Sequence, residues 1–266
     1  MEVLPGLWTG SARAAEDPDK AVPISFKPTD MMGLLANDLY GGDLAGRSLL
    51  DCGCNAGGLS FAAAKLGAGR IFAFDARQHW LDQAAFLARH LDIPQVRLEC
   101  LMLSDLPGLN LEPFDITMFA GLFYHLPDPV AGLKAAADLT RELIIVNTAV
   151  MPQPYDGLVL NSESPTQVLS GVDGLAWLPT GPRVLARVLS WCGFPHVRVD
   201  VDWNWGPPGW KRLQVIAARD ETTFARYDQR RPDARLSRFV GPKVSPSRRV
   251  IRGVSRRLKS LRTRLS

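Results

Sequence analysis

No stretch of this 266-residue chain approaches the ~18 uninterrupted apolar residues that would read as a membrane span. The first twenty residues, MEVLPGLWTGSARAAEDPDK, lack the basic start and apolar run of a secretory leader. Cysteine is scarce, and its four copies (Cys52, Cys54, Cys100 and Cys192) include no CxxC pair suited to zinc. Cys52 and Cys54 stand two apart where a strand enters a turn, which in extended chain puts their Cα atoms about 6.5 Å apart, near the limit for a disulfide. All four therefore read as free thiols, and the expected location is cytoplasmic. Internal repeats are missing, and no group of acids and histidines has metal-ligand spacing, so metal-independent chemistry is expected. Apolar residues are not scarce. At 46% hydrophobic against 22% charged, the chain can bury a substantial core.

Acidic residues are missing from one end. Residues 246–266 hold eight Lys/Arg, no acid and no aromatic residue. From Glu221 onward fourteen basic residues face three acidic ones, so behind a net charge of +4 the first 220 residues are net acidic. Val250, Val254, Leu258, Leu261 and Leu265 fall on one stripe of an amphipathic helix. Such a tail can lie on an anionic membrane surface, giving a membrane-peripheral location. It can also track RNA phosphates, although without aromatics it cannot stack bases. A third use is docking on its own domain or a partner.

Between the ends, strand-like and helix-like segments alternate. Apolar runs at 48–54, 70–74, 96–102, 114–120 and 142–150 read as strands, separated by helical patterns at 58–66, 78–91 and 129–139. A further helical pattern at 28–39 leads into the first strand. This rhythm implies parallel pairing with right-handed crossovers. Residues 182–192 form another helix. HVRVDVDW and RLQVIAARD then flank NWGPPG as two strands joined by a turn. The expected fold is α/β, a doubly wound, mostly parallel seven-stranded sheet closed by an antiparallel hairpin. The expected organisation is an N-terminal segment (1–47), a main domain (48–220) whose insert (151–179) covers the sheet as a lid or loop, and a basic tail (221–266).

The first strand runs into LLDCGCNAGG, a turn of small residues. Against the dinucleotide fingerprint GxGxxG, Asn55 stands where the second glycine would let backbone approach a pyrophosphate, and Asp51 would repel one. The GxxxxGK[ST] phosphate loop is absent. A carboxylate at Asp51 suits instead a cationic nucleoside without phosphate, with Gly53 and Gly57 allowing close approach. Asp75 ends the second strand 22 residues after Gly53, placed to accept from ribose hydroxyls. The bland alternative is a tight strand-to-helix turn with Asp75 as a cap.

LLDCGCNAGGLSFAAAKLGAGRIFAFDA resembles the cofactor motif of class I S-adenosylmethionine-dependent methyltransferases, with the strand-ending acid in place. FDITMFAGLFYHLPDPVAGL and WLPTGPRVLARVLSWCGFPHVRV are similar to later segments of a group that includes the tRNA wobble-uridine carboxymethyl transferases. The resemblance implies a Rossmann-like methyltransferase fold with S-adenosyl-L-methionine as cofactor, held by Asp51, Gly53, Asn55, Gly57 and Asp75, with Met102, Leu103 and Gly121 around the same crevice. Met102 and Leu103 flank the adenine or belong to the core. His125, beside Tyr124 and just past a strand end, is the candidate base or orienting group; packing within its own loop is the alternative. Asn161, Glu163 and Trp177 of the insert are candidate substrate contacts or simply exposed polar loop. The expected activity is O-methylation of a sugar, glycan or other small-molecule hydroxyl, with a lipid-linked acceptor consistent with the tail. RNA methyl or carboxymethyl transfer is the alternative, and a non-catalytic cofactor-binding interaction protein a third.

Overall fold

The computed structural model describes residues 2–4, 7–8, 28–164, 166, 170–203 and 211–232. The turn expected at 204–209 and the amphipathic helix expected at 246–266 lie outside these. Two short strands, β1 (Glu2–Leu4) and β2 (Leu7–Trp8), pair antiparallel. A helix, α1 (Pro28–Gly33), continues as a π-helix over Leu34–Leu39 and leads to the main sheet.

That sheet contains β3 (Ser48–Cys52), β4 (Arg70–Asp75), β5 (Val96–Cys100), β6 (Phe114–Ala120), β7 (Thr140–Val150), β10 (His196–Trp203) and β11 (Lys211–Ala218). Their order is β10-β11-β7-β6-β3-β4-β5, with β11 antiparallel to both neighbours and the others parallel to one another. The seven-stranded, doubly wound sheet with its closing hairpin is thus the one expected from the alternation. Its buried strands read as near-continuous apolar runs because helices cover both faces. On one face α1, its π-helical extension and α2 (Gly58–Lys65) meet Leu49, Ile71, Leu143, Ile145 and Ile216. On the other, α4 (Pro129–Asp138) and α5 (Pro182–Trp191) meet Leu50, Phe72, Ile144, Val146 and Val215. α3 (Gln78–His90) connects β4 to β5.

The basic C-terminal segment does not begin where the charge count places it. Residues Glu221–Phe224 form a 3-10 turn and Ala225–Arg230 a helix, α6, with Phe224 and Tyr227 fully buried against the α1 face. Two apolar anchors outweigh the charge around them. The insert also differs from a plain loop: β8 (Leu158–Ser162) and β9 (Leu175–Pro179) pair antiparallel in a separate two-stranded sheet. Ala176 and Leu178 turn inward and are fully buried.

The strand order reverses between β3 and β6, whose following connections run to opposite sides, to β4 and to β7. In open α/β sheets, ligands bind beyond the carboxyl ends of the strands at such a switch point. There the turn after β3 is held by unusual backbone conformations: Gly53, Asn55 and Gly57 have φ of 68°, 52° and 84°. Asparagine is among the few non-glycine residues that adopt this region readily, which accounts for Asn55 in place of a glycine. At Gly57 a Cβ would come within 2.6 Å of the Phe61 ring, which is fully buried in α2. Gly57→Ala therefore combines left-handed strain with overpacking, and chemical denaturation should record a loss of about 2–4 kcal/mol.

Candidate active site

Two loops meet at the switch point. From the β3 side, Asn55 N donates to Asp75 Oδ2 at 2.9 Å and Arg77 N donates to Oδ1 at 3.0 Å, so Asp75 is oriented at the end of β4 with lone pairs left over on both oxygens. Burial raises the Asp75 pKa above the usual carboxylate range, opposed by these two backbone donors. Asp51 lies beneath the turn. It is 1% exposed, and its Oδ2 accepts from Ser60 Oγ at 2.7 Å. Burial pushes its pKa up to about 6; Ser60 pulls it down and the neighbouring Asp75 charge pushes it further up. A carboxylate turned inward at the last position but one of β3 follows from the strand's alternation, in which Asp51 and Leu49 share a face.

Gly53 faces the second loop: a Cβ there would sit 3.3 Å from Leu122 Cδ1. Leu103 is buried in the core, whereas Met102 is over one-third exposed, so the pair expected to flank an adenine is split. Met102 N donates to Asp105 Oδ2 at 2.8 Å, which closes the 3-10 turn at Leu103–Gly108.

From the β6 side, Gly121 turns the chain at φ 75° and donates its N–H to Asn147 O of β7 at 2.7 Å. The 3-10 turn Phe123–His125 follows, with Phe123 buried as its anchor. His125 Nδ1 lies 2.7 Å from Glu163 Oε2, and both side chains are about one-eighth exposed. Glu163 Oε2 also accepts from Gly171 N at 2.9 Å. The insert is thereby tied to the loop after β6 across 38 residues of sequence. Two more contacts hold it down: Trp177 Nε1 donates to Pro127 O at 2.9 Å, and the Arg77 guanidinium donates to Ser170 O. Tyr124 OH accepts from Arg212 Nη1 at 3.2 Å, and its ring lies 3.9 Å, centroid to centroid, from that of His125.

Of the expected substrate contacts, Glu163 meets the histidine, Trp177 packs beside its loop, and Asn161 Oδ1 accepts the local bond from Ser162 N. Arg212 was not legible as a site residue. Its signal is positional: β11 runs opposite β7, and Arg212 pairs with Ala149 at the carboxyl end of that strand.

A methyltransferase-domain family model matches residues 49–142, which carry both loops of the switch point. Over these residues the chain carries a methyltransferase domain, and it resembles the class I S-adenosylmethionine-dependent enzymes. S-adenosylmethionine is its cofactor, and the chain resembles the tRNA wobble-uridine carboxymethyl transferases. A tRNA U34 carboxymethyltransferase of Pseudomonas putida (strain W619) is 34% identical over 166 residues, covering 60% of this chain and 49% of the relative. A ubiquinone biosynthesis O-methyltransferase of Neisseria meningitidis serogroup C is 30% identical over 99 residues, 37% of this chain and 42% of the relative. The chain thus spans less than half the length of these curated relatives. The methyltransferase fold also matches the crystal structure of the N-terminal domain of EvdMO1, determined in the presence of SAH and D-fucose. The TM-score is 0.61 at 20% identity, covering 73% of this chain and 84% of that one.

The residues present fit this cofactor. Asp51 is an acid pushed toward protonation by burial and by a second acid, so a positive charge brought to the turn relieves it. The methyltransferase turn keeps its backbone open through Gly53, and Asp75 retains acceptor capacity for ribose hydroxyls. Among the described residues no helix is long and apolar enough to cross a membrane.

Proposed function

We propose that this domain methylates a hydroxyl of a small-molecule acceptor (a sugar, glycan or other secondary metabolite), with His125 as the base. The observation that supports this reading is the His125–Glu163 pair at 2.7 Å. A carboxylate only accepts, so Nδ1 carries the proton and Nε2 is left as the basic nitrogen. When bound, S-adenosylmethionine supplies an electrophilic methyl group. Asp75 and the turn 53–57 hold the donor, and the loop 121–125 presents His125 to the acceptor. His125 Nε2 takes the proton of the acceptor hydroxyl, and Glu163 stabilises the imidazolium that forms. Placing the acceptor for in-line displacement supplies much of the remaining rate. The insert tied down over the loop excludes water from the hydroxyl.

A second reading is RNA modification, by methyl or carboxymethyl transfer, favoured by the tRNA-modifying relative whose alignment covers 60% of the chain. The two readings part in one experiment. Methyl-labelled S-adenosylmethionine is incubated with the protein and a fractionated lysate. Label in an RNase-insensitive, glycan or solvent-extractable fraction is the expected result. Label that disappears with RNase favours the second reading, and donor binding without any transfer favours a non-catalytic interaction protein. The first outcome also favours the tail 246–266 as a membrane contact, the second as an RNA clamp.

A further inference from the structure

On the α1 face of the sheet the core changes character along β7 and β11. Leu143, Ile145, Ile216 and Ala218 are apolar and fully buried, but the next inward positions toward the carboxyl end of β7 are Asn147, Gln214 and Arg212. Asn147 is 0% and Gln214 2% exposed. Burying two amides costs free energy unless their bonds are made, and here they are made in series. Arg212 Nη1 donates to Tyr124 OH at 3.2 Å and Nε donates to Asn147 Oδ1 at 2.5 Å. Asn147 Nδ2 donates to Gln214 Oε1 at 3.1 Å, and Gln214 Nε2 donates to Asp200 Oδ2 at 2.8 Å. The other oxygen of Asp200 accepts from Tyr227 OH at 3.0 Å and from Arg231 Nη1 at 2.8 Å. Arg231 and Arg230 then close on the two oxygens of Asp38 in the π-helix, each at 2.6 Å.

The ends of this chain dictate its middle. A guanidinium can only donate and a carboxylate can only accept, so each amide between them has one workable orientation. Turning either over breaks the bonds on both of its sides. One end is the segment 221–232 docked by Phe224 and Tyr227; the other is the tyrosine adjacent to His125.

We propose that this buried chain is a positioning device: docking of the segment 221–232 fixes Asp200, Gln214, Asn147 and Arg212 in turn, and through them Tyr124 at the acceptor side of the site. The significance for the acceptor rests on the reading given under Proposed function; the coupling itself does not. It is tested without turnover, in the full chain labelled with 3-fluorotyrosine, by the fluorine resonance assigned to Tyr124 through Tyr124→Phe. Tyr227→Phe removes one hydroxyl at the far end and leaves the ring in place, and Gln214→Met breaks the middle. Arg212→Lys marks the shift produced by direct loss of the guanidinium. Ser48→Ala, which loses the two bonds of Ser48 Oγ with Asp115 at the opposite end of the sheet, serves as a control for general loosening.

The expected result is that Tyr227→Phe displaces the Tyr124 resonance in the same direction as Arg212→Lys, with SAH affinity within twofold of wild type. Ser48→Ala lowers the melting temperature and leaves the resonance in place. A Tyr124 resonance that Tyr227→Phe leaves unmoved overturns the proposal, even if Gln214→Met does not fold. So does an equal displacement by Ser48→Ala. Failure of methyl transfer to any hydroxyl would defeat the acceptor reading and leave these measurements intact.

Discussion

Replacing His125 with Ala is expected to slow methyl transfer by about 10²–10⁴-fold, the range for loss of a positioned general base, while S-adenosylmethionine binds as in the wild type. The separation follows from the layout. His125 belongs to the loop after β6, and the proposed donor contacts belong to the turn after β3 and the end of β4. Glu163→Gln keeps an oxygen for Gly171 N but removes the charge that steadies the imidazolium. A hydrogen bond to a charged group is worth about 1.5–3 kcal/mol, so a further loss of roughly 10–100-fold is expected from that variant alone. Gly171→Ala tests the geometry with both side chains retained. Its Cβ would fall 2.6 Å from His125 O and 2.9 Å from His125 Cβ, forcing the insert away. All three variants should reduce kcat without weakening the donor. Wild-type turnover in His125→Ala and Glu163→Gln would remove the pair from the mechanism.

The second large effect has opposite signs in two measurements. Asp51 has a folded pKa of about 6 against an ordinary 3.8. An acid whose pKa is raised by folding contributes stability that is complete below the unfolded value and lost as pH rises through the folded one. Above pH 6 the free domain carries an ionised carboxylate it would rather have protonated, at a cost of about 3 kcal/mol. Asp51→Asn removes that charge and keeps an oxygen for Ser60. At pH 7 the free variant should melt higher, by the equivalent of about 2–3 kcal/mol, and the gain should vanish near pH 4. The donor should bind more weakly. Removing the carboxylate takes away a charge opposite in sign to the donor's sulfonium and ammonium, so Kd should rise. Donor affinity of the wild type should rise as pH passes upward through 6, and that of Asp51→Asn should stay level. Calorimetric titration across pH 5–8 measures both. A variant that melts lower than wild type at pH 7 would show that Asp51 holds the turn together and does not strain it.

The two halves of the site were unequally legible in the sequence. Most of the proposed donor side is local: a strand, a turn and an acid at the next strand end lie within 51–75, so the sequence pattern and its resemblance could suggest them. The face of Asp51, shared with Leu49 and lying under the turn, comes from the structure. The acceptor side is assembled from segments far apart in sequence. Glu163 reaches His125 only because Ala176 and Leu178 anchor an antiparallel ribbon, and four prolines in 151–179 hid its two short strands from any period. Arg212 enters through register, since pairing with β7 and not composition carries it to Tyr124. Phe224 and Tyr227 were masked by the charge around them, so the fold continued past the point where a basic tail was expected.

The position of β11 bears on how the chain is made. β7 (TRELIIVNTAV) is apolar and buried along nearly its whole length, and its free side is closed by β11, which pairs with it over eight positions from Lys211 to Ala218. Synthesis delivers β10 first, yet β10 takes the outer place. A nascent chain that has emerged only as far as residue 200 therefore presents an open hydrophobic edge, a template for intermolecular pairing. Premature termination before Lys211 should yield an aggregating fragment and not a smaller folded one, even though every residue proposed to bind the donor has by then been translated.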